Sequence, residues 1–387
     1  MSSLETSIHP NYLAQKLKLS SMAASESSSD ALQKPQEPMP TQTWLGGILH
    51  RYFLGFLVGV YALAAFLPGP GRAIRNITFA QPTGGEVHAP MLLLAMLLFC
   101  AAAVIRWSEI RDLLERPSVL LLGLLAAWFG PALFVAIIGP VLPKVFSVES
   151  TAGIVVGLAL VAAMPVANSS AGWSQNAGGN IALSLGLIVL SIVLSPLAAP
   201  QMLKLMGFAL SEADTEKIEQ LVARFSGLEF ILWVVLPSLA GALFAWAAGE
   251  NRIARLKPWI RLITLFDLLV LNYANAALAM PKLVQEETLA TAALPAVLAI
   301  LLGAVGIVIA LGLARLCGLP RASRTTMLFA LSMKHTGLAL VLAGEVLAED
   351  HPRVILAIVL ATLLQHLVAA AIDWRLQRSG GSAHVET

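Results

Sequence analysis

The stretch T-T-M-L-F-A-L-S-M-K-H-T-G-L-A-L-V-L-A-G, residues 325–344, is apolar enough to cross a bilayer, yet it places Lys334 at its centre beside His335. About 20 apolar residues span a hydrocarbon core, and a lysine at mid-depth costs about 2.5–3.5 kcal/mol. Something in the interior must offset that cost, so the stretch predicts a membrane protein with a polar site at this depth.

The rest of the chain agrees. Of 387 residues, 57% are hydrophobic and 12% charged, about half the charged share of a soluble domain. From Trp44 onward, apolar runs alternate with short basic loops. Ten spans are expected, over 47–68, 89–105, 118–140, 151–170, 180–205, 226–248, 259–280, 290–314, 325–346 and 353–374. Residues 150–203 contain no Asp, Glu, Lys or Arg; this is too long for one span, and the polar cluster 168–180 divides it in two. With the N-terminus inside, sixteen Lys and Arg fall on the cytoplasmic side and eight outside. The positive-inside rule then predicts both termini in the cytoplasm of a cell inner (plasma) membrane, with the bilayer as the chain's partner.

Residues 1–43 are rich in Ser, Pro and charge and lack an apolar run, so a disordered tail is expected there, with Met1 or Met22 as the start. The remaining divisions are a first five-helix repeat over 44–210, a linker over 211–226, a second repeat over 227–375 and a C-terminal tail over 376–387. In the linker, Leu221, Val222 and Phe225 at helical spacing predict a short amphipathic helix. The small, dispersed net charge of +2 gives no reason to expect nucleic acid, and Cys100 and Cys317 form neither a disulfide framework nor a metal motif.

Two spans are interrupted. The fourth breaks at Pro165 into Asn168, Ser169, Ser170 and Gly172; the ninth breaks at Lys334, His335, Thr336 and Gly337. Unwound backbone survives in hydrocarbon only where protein or a water-filled cavity surrounds it. Span four of five and span nine of ten are equivalent positions, and an odd number of spans per half inverts the second half. Paired breaks in an inverted repeat point to a transporter site at the midplane. Further candidates are Trp173, Gln175 and Asn176 after the first break and Asp267 in the seventh span, a candidate partner for Lys334. Gln365 and His366 fit a helix–helix contact, Glu229 and Glu345 fit the interfaces, and Trp128 and Trp233 fit packing or the aromatic belt.

At these breaks the chain resembles the bile acid:sodium symporter family, over about residues 45–375. The resemblance is strongest in A-M-P-V-A-N-S-S-A-G-W-S-Q-N-A-G-G-N-I-A-L-S-L-G-L-I-V-L-S-I-V-L-S-P-L, residues 163–197. There Pro165, Ser170, Gly179, Ala182, Leu183, Ser184 and Ser195-Pro196-Leu197 stand in step with the family pattern. The second match is L-S-M-K-H-T-G-L-A, through Met333, Thr336 and Gly337. The resemblance implies an all-α fold of ten transmembrane helices in a 5+5 inverted repeat. The fourth and ninth helices would be broken and cross, and a core domain would move against a panel domain. It also implies transport of organic anions driven by sodium.

The family's sodium ligands are largely replaced. Its asparagine is Ala171, its threonine Ile188, its shared glutamate Ala330 and its glutamine Lys334; Ser170 and Ser184 remain. A hard cation wants several oxygens, so no cofactor is expected and sodium is disfavoured. Lys334 is read as a built-in cation at the carbonyl ends of the half-helices, or as a coupling residue that gains and loses a proton, as His335 could. The leading function is a secondary carrier of a small organic anion, sodium-independent, with a proton-coupled or facilitative carrier as the alternative. A transport-inactive sensor is the reading from another class, and an enzyme is not expected. A homodimer is compatible with the sequence.

Overall fold

The computed structural model describes residues 53–80, 86–104, 117–147, 151, 153–207, 212–225, 228–285, 289–347 and 352–381. The expected N-terminal tail lies outside them. The chain is helical almost throughout: α1 (Phe53–Phe66), α2 (Pro68–Arg75), α3 (Ala89–Ala103), α4 (Pro117–Ile138), α5 (Ile154–Ala163), α6 (Ser169–Asn176) and α7 (Ile181–Gly207) come first. There follow α8 (Glu212–Phe225), α9 (Leu236–Ala248), α10 (Glu250–Gln285), α11 (Leu289–Leu316), α12 (Arg321–Ser332), α13 (Thr336–Val346) and α14 (Pro352–Gly381). A turn of π-helix over Ile231–Val235 leads into α9.

Among the described residues, six helices are long and apolar enough to cross a membrane, and seven if α1 and α2, bent by 94° at Leu67, count as one. Pro68 opens α2 at its first position, where the missing N–H is not needed, and the residue before a proline avoids helical geometry. α3 and α5 are apolar but shorter. The protein is thus an all-helical, multi-pass membrane protein, with one addition to the all-α expectation. An antiparallel ribbon pairs Thr78–Ala80 with Glu86–His88, where Ile77, Thr78 and Phe79 supply β-forming residues. The last helix also runs on to Gly381, past residue 376 where a tail was expected.

The helices pack in two sets. α10 lies along α1, α2 and α3, and α3 packs on α9; α4, α5, α6, α7, α11, α12, α13 and α14 pack among themselves. α10 also meets α13 and α14, so it lies along the seam between the sets. α8 lays Ile218 and Leu221, both fully buried, against α7. Close approach depends on small residues, as in membrane helix pairs. A Cβ at Gly157 of α5 would stand 2.7 Å from the Val354 carbonyl oxygen and 2.9 Å from the Ala357 Cβ of α14.

Candidate functional site

α5 stops at Ala163 and α6 starts at Ser169; α12 stops at Ser332 and α13 starts at Thr336. The two linking segments meet as antiparallel strands paired at Val166 and Lys334. His335 N–H donates to the Pro165 carbonyl at 2.9 Å and Ala167 N–H to the Met333 carbonyl at 3.2 Å. Buried backbone groups need partners, and flanking helices supply the rest. Val166 N–H donates to Ser191 Oγ on α7 at 3.0 Å, and Lys334 N–H to Gln365 Oε1 on α14 at 2.9 Å. Gln365 Nε2 in turn donates to Thr336 Oγ1 at 3.1 Å. Each segment is therefore pinned by a long helix that follows it in the chain.

Lys334 is 3% exposed. Its Nζ donates to the Met164 carbonyl oxygen at 3.1 Å and to the Ala127 carbonyl oxygen on α4. Met164 caps the C-terminus of α5, where the carbonyls lack intrahelical partners and the helix dipole is negative. Ala127 has a different reason to be free. Pro131 sits four residues on within α4 and has no N–H to return to it. The ammonium thus takes one carbonyl left over by a helix end and one left over by a proline. Asp267, the candidate partner, is not bonded to it. Although Asp267 is 2% exposed, neither carboxylate oxygen has a hydrogen-bond partner among the described residues. The carbonyls of Ala127 and Met164 already hold the ammonium, so no carboxylate is required.

Of the groups expected at the crossing, Asn168 and His335 come together where the two segments meet. His335 caps α13, with Nδ1 accepting from Leu338 N–H at 3.2 Å. A ring that accepts at Nδ1 carries its proton on Nε2. Nε2 lies 3.4 Å from the side-chain nitrogen of Asn168, whose Oδ1 has no hydrogen-bond partner among the described residues. Two donors do not face each other, and an amide's oxygen and nitrogen exchange places with little change of shape. Asn168 therefore belongs with Oδ1 on the His335 Nε2–H, its NH2 taking the buried position on the other side of the amide, where no acceptor stands among the described residues. Gly337 packs beside the His335 ring, and Ser169 opens α6.

Ser170 and Ser184 are fully buried, and neither hydroxyl has a hydrogen-bond partner among the described residues. Gly172 lies mid-way along α6; Gln175 and Asn176 lie at its far end and are exposed. There Gln175 Oε1 accepts from Arg261 of α10 at 3.1 Å, a contact across the seam between the two helix sets. Trp173 stacks on Phe329 and donates through Nε1 to His366 Nδ1 at 3.4 Å. Thr326 Oγ1 donates to the Asn180 carbonyl and so receives the Ser174 hydroxyl, at 2.8 Å, which ties α6 to α12. The side chains of Glu229 and Glu345 lie outside the described residues. No cluster of three or more His, Cys, Asp or Glu is arranged to hold a metal among the described residues.

Sequence reasoning missed Ala127, Met164, Ser191 and Arg261 as contributors. The first two act through backbone carbonyls, which side-chain identity does not reveal; Pro131, four places beyond Ala127, was the available signal.

Apolar helices around a buried, hydrogen-bonded meeting of two unwound segments define a multi-pass membrane protein with a polar interior site. A family model described as the sodium bile acid symporter family matches residues 91–286, and the chain belongs to that family. It is 26% identical over 185 residues to YbaS of Bacillus subtilis (strain 168), described as an uncharacterized protein, a match covering 48% of this chain and 56% of that one. The chain thus spans just over half the length of this relative.

Proposed function

We propose that this chain is a secondary carrier of a small organic anion that works by alternating access without sodium coupling. The carrying observation is the Lys334 ammonium on the Ala127 and Met164 carbonyls. It stands where the family resemblance puts a sodium ligand, and it satisfies carbonyl ends that a bound cation would otherwise satisfy. Of the oxygens expected in a cage, the side chains of Ser170 and Ser184 are what this sequence retains. Two hydroxyls beside a fixed ammonium are a poor site for a hard cation.

In this reading the chain crosses the membrane ten times. α5 with α6 forms the fourth span and α12 with α13 the ninth, in two inverted halves of five. The set containing α10 is the panel and the set containing the breaks is the core. The pairing of Val166 with Lys334, each donating to the helix that follows its own break, supports this symmetry. The Asn168 amide donors and the N-terminus of α13 offer positive ends to a carboxylate. Both termini face the cytoplasm, in keeping with the loop charges. The chain is a carrier and not an enzyme.

Purified protein in liposomes, screened with organic anions by thermal shift and uptake in sodium or choline buffer, tests this. Uptake equal in both buffers is expected. A sodium-dependent rise in melting temperature or flux overturns it.

A further inference from the structure

Asp267 lies at the middle of α10, the helix along the seam between the two sets. Its carboxyl is 2% exposed and bonded to nothing among the described residues. A polar group held this way at membrane depth costs free energy, and an ionised one costs far more. Buried polar side chains ordinarily have partners; Asn272 and Asn275 on the same helix do, receiving Tyr61 Oη at 2.9 Å and an Arg75 guanidinium nitrogen at 3.1 Å. Lys334 is engaged elsewhere. Asp267 is left as an acceptor with nothing to accept.

The titratable and charged neighbours are accounted for. Cys100 lies on α3, which packs against α10. Tyr61 on α1 is held at Asn272, and on α2 Arg75 is held at Asn275 and Arg72 at the Ala277 carbonyl. On α14, His366 is held at Trp173, Asp373 Oδ2 accepts from Gln377 at 2.8 Å and Arg378 lies over the Trp374 ring. No titratable side chain is described on α9 or α13. On α10 itself, Arg261 lies six positions away, about 9 Å along the axis, at the contact with Gln175 that bridges the seam.

We infer that the Asp267 carboxyl is a proton-carrying site, so that the anion crosses the membrane together with a proton. While the seam encloses it, the group carries the proton as a neutral acid. When the two sets part and water reaches α10, the O–H bond breaks, the proton passes to water, and the carboxylate is solvated. Reloading from water on the opposite side re-forms the O–H bond, and no electron moves. The inference rests on the carrier reading above and names its driving ion.

Two measurements separate that reading from this one. Infrared difference spectra of wild type against Asp267→Asn, taken across pH in liposomes without added solute, should show a protonated-carboxyl C=O band that titrates and is lost in the variant. A band that never titrates, or one that sodium removes at constant pH, overturns the inference without touching the carrier reading. In sodium-free liposomes, an acid-outside gradient should drive accumulation of any anion found by the screen. Asp267→Asn should lose that accumulation while keeping solute exchange, and Asp267→Glu should restore part of it. Exchange shows that the variant is folded. Gradient-driven accumulation by Asp267→Asn equal to wild type overturns the proton site; absence of any anion flux in wild type overturns the carrier reading while the infrared result stands on its own.

Discussion

Ala127 and Pro131 stand one turn apart in α4, and the proline's missing N–H is what leaves the Ala127 carbonyl free for the Lys334 ammonium. The two residues therefore act as one device with a lysine more than 200 positions away. That dependence is measurable.

Replacing a helix-interior proline by alanine ordinarily relieves about 3 kcal/mol. In Pro131→Ala the new N–H competes for Ala127, and a hydrogen bond to a charged group is worth about 1.5–3 kcal/mol. The expected gain in thermal stability is therefore small in wild type and larger in a Lys334→Met background. A double-mutant cycle in detergent should give a coupling of about 0.5–3 kcal/mol; additive effects would separate the proline from the lysine.

Lys334→Gln returns the side chain that the family resemblance implies, but Ala171 and Ala330 still supply no oxygen. The variant is expected to be less stable than wild type and to remain unresponsive to sodium in a thermal-shift titration. Adding Ala330→Glu to it should produce the first sodium-dependent stabilisation. Sodium stabilisation in the single variant would show that the missing ligands are supplied from elsewhere.

The ring of His335 is fixed by its cap, with Nδ1 accepting from Leu338 N–H. Nitrogen-15 spectra of histidine-labelled protein should show the Nε2–H tautomer. His335→Ala should lose the cap, at about 0.5–2 kcal/mol, whereas asparagine is a good capping residue, and His335→Asn should keep most of that stability. Equal losses would rule out a capping role.

Legibility followed the kind of atom involved. Lys334 was conspicuous as a charge inside an apolar run, and Pro165 with Asn168 marked the place where α5 gives way to α6. The carbonyls of Ala127 and Met164 carry no such mark, because every residue has one. Pairing Lys334 with Asp267 followed from the rule that buried charges seek opposite charges, whereas the ammonium is held by two carbonyls and neither Asp267 oxygen is bonded among the described residues. The ribbon over Thr78–Ala80 was hidden among basic loop residues too short to show a period of two.

Gly157→Ala tests the packing under the crossing, since its Cβ would press on the Val354 carbonyl at 2.7 Å. Overpacking of this kind costs about 1–3 kcal/mol. A fall in melting temperature with the tryptophan emission of the folded state retained is expected. An unchanged melting temperature would mean that α5 and α14 are free to separate.

A tethered ammonium has an electrical consequence. Each sodium ion that enters a cell and dissociates there releases about 2.3 kcal/mol per 100 mV of membrane voltage. Lys334 stays attached, so whatever distance its charge travels in the field on the loaded stroke is retraced on the empty one. In the carrier proposed above, no net current flows through that position, and the resting voltage acts solely through the charge of the cargo and whatever accompanies it.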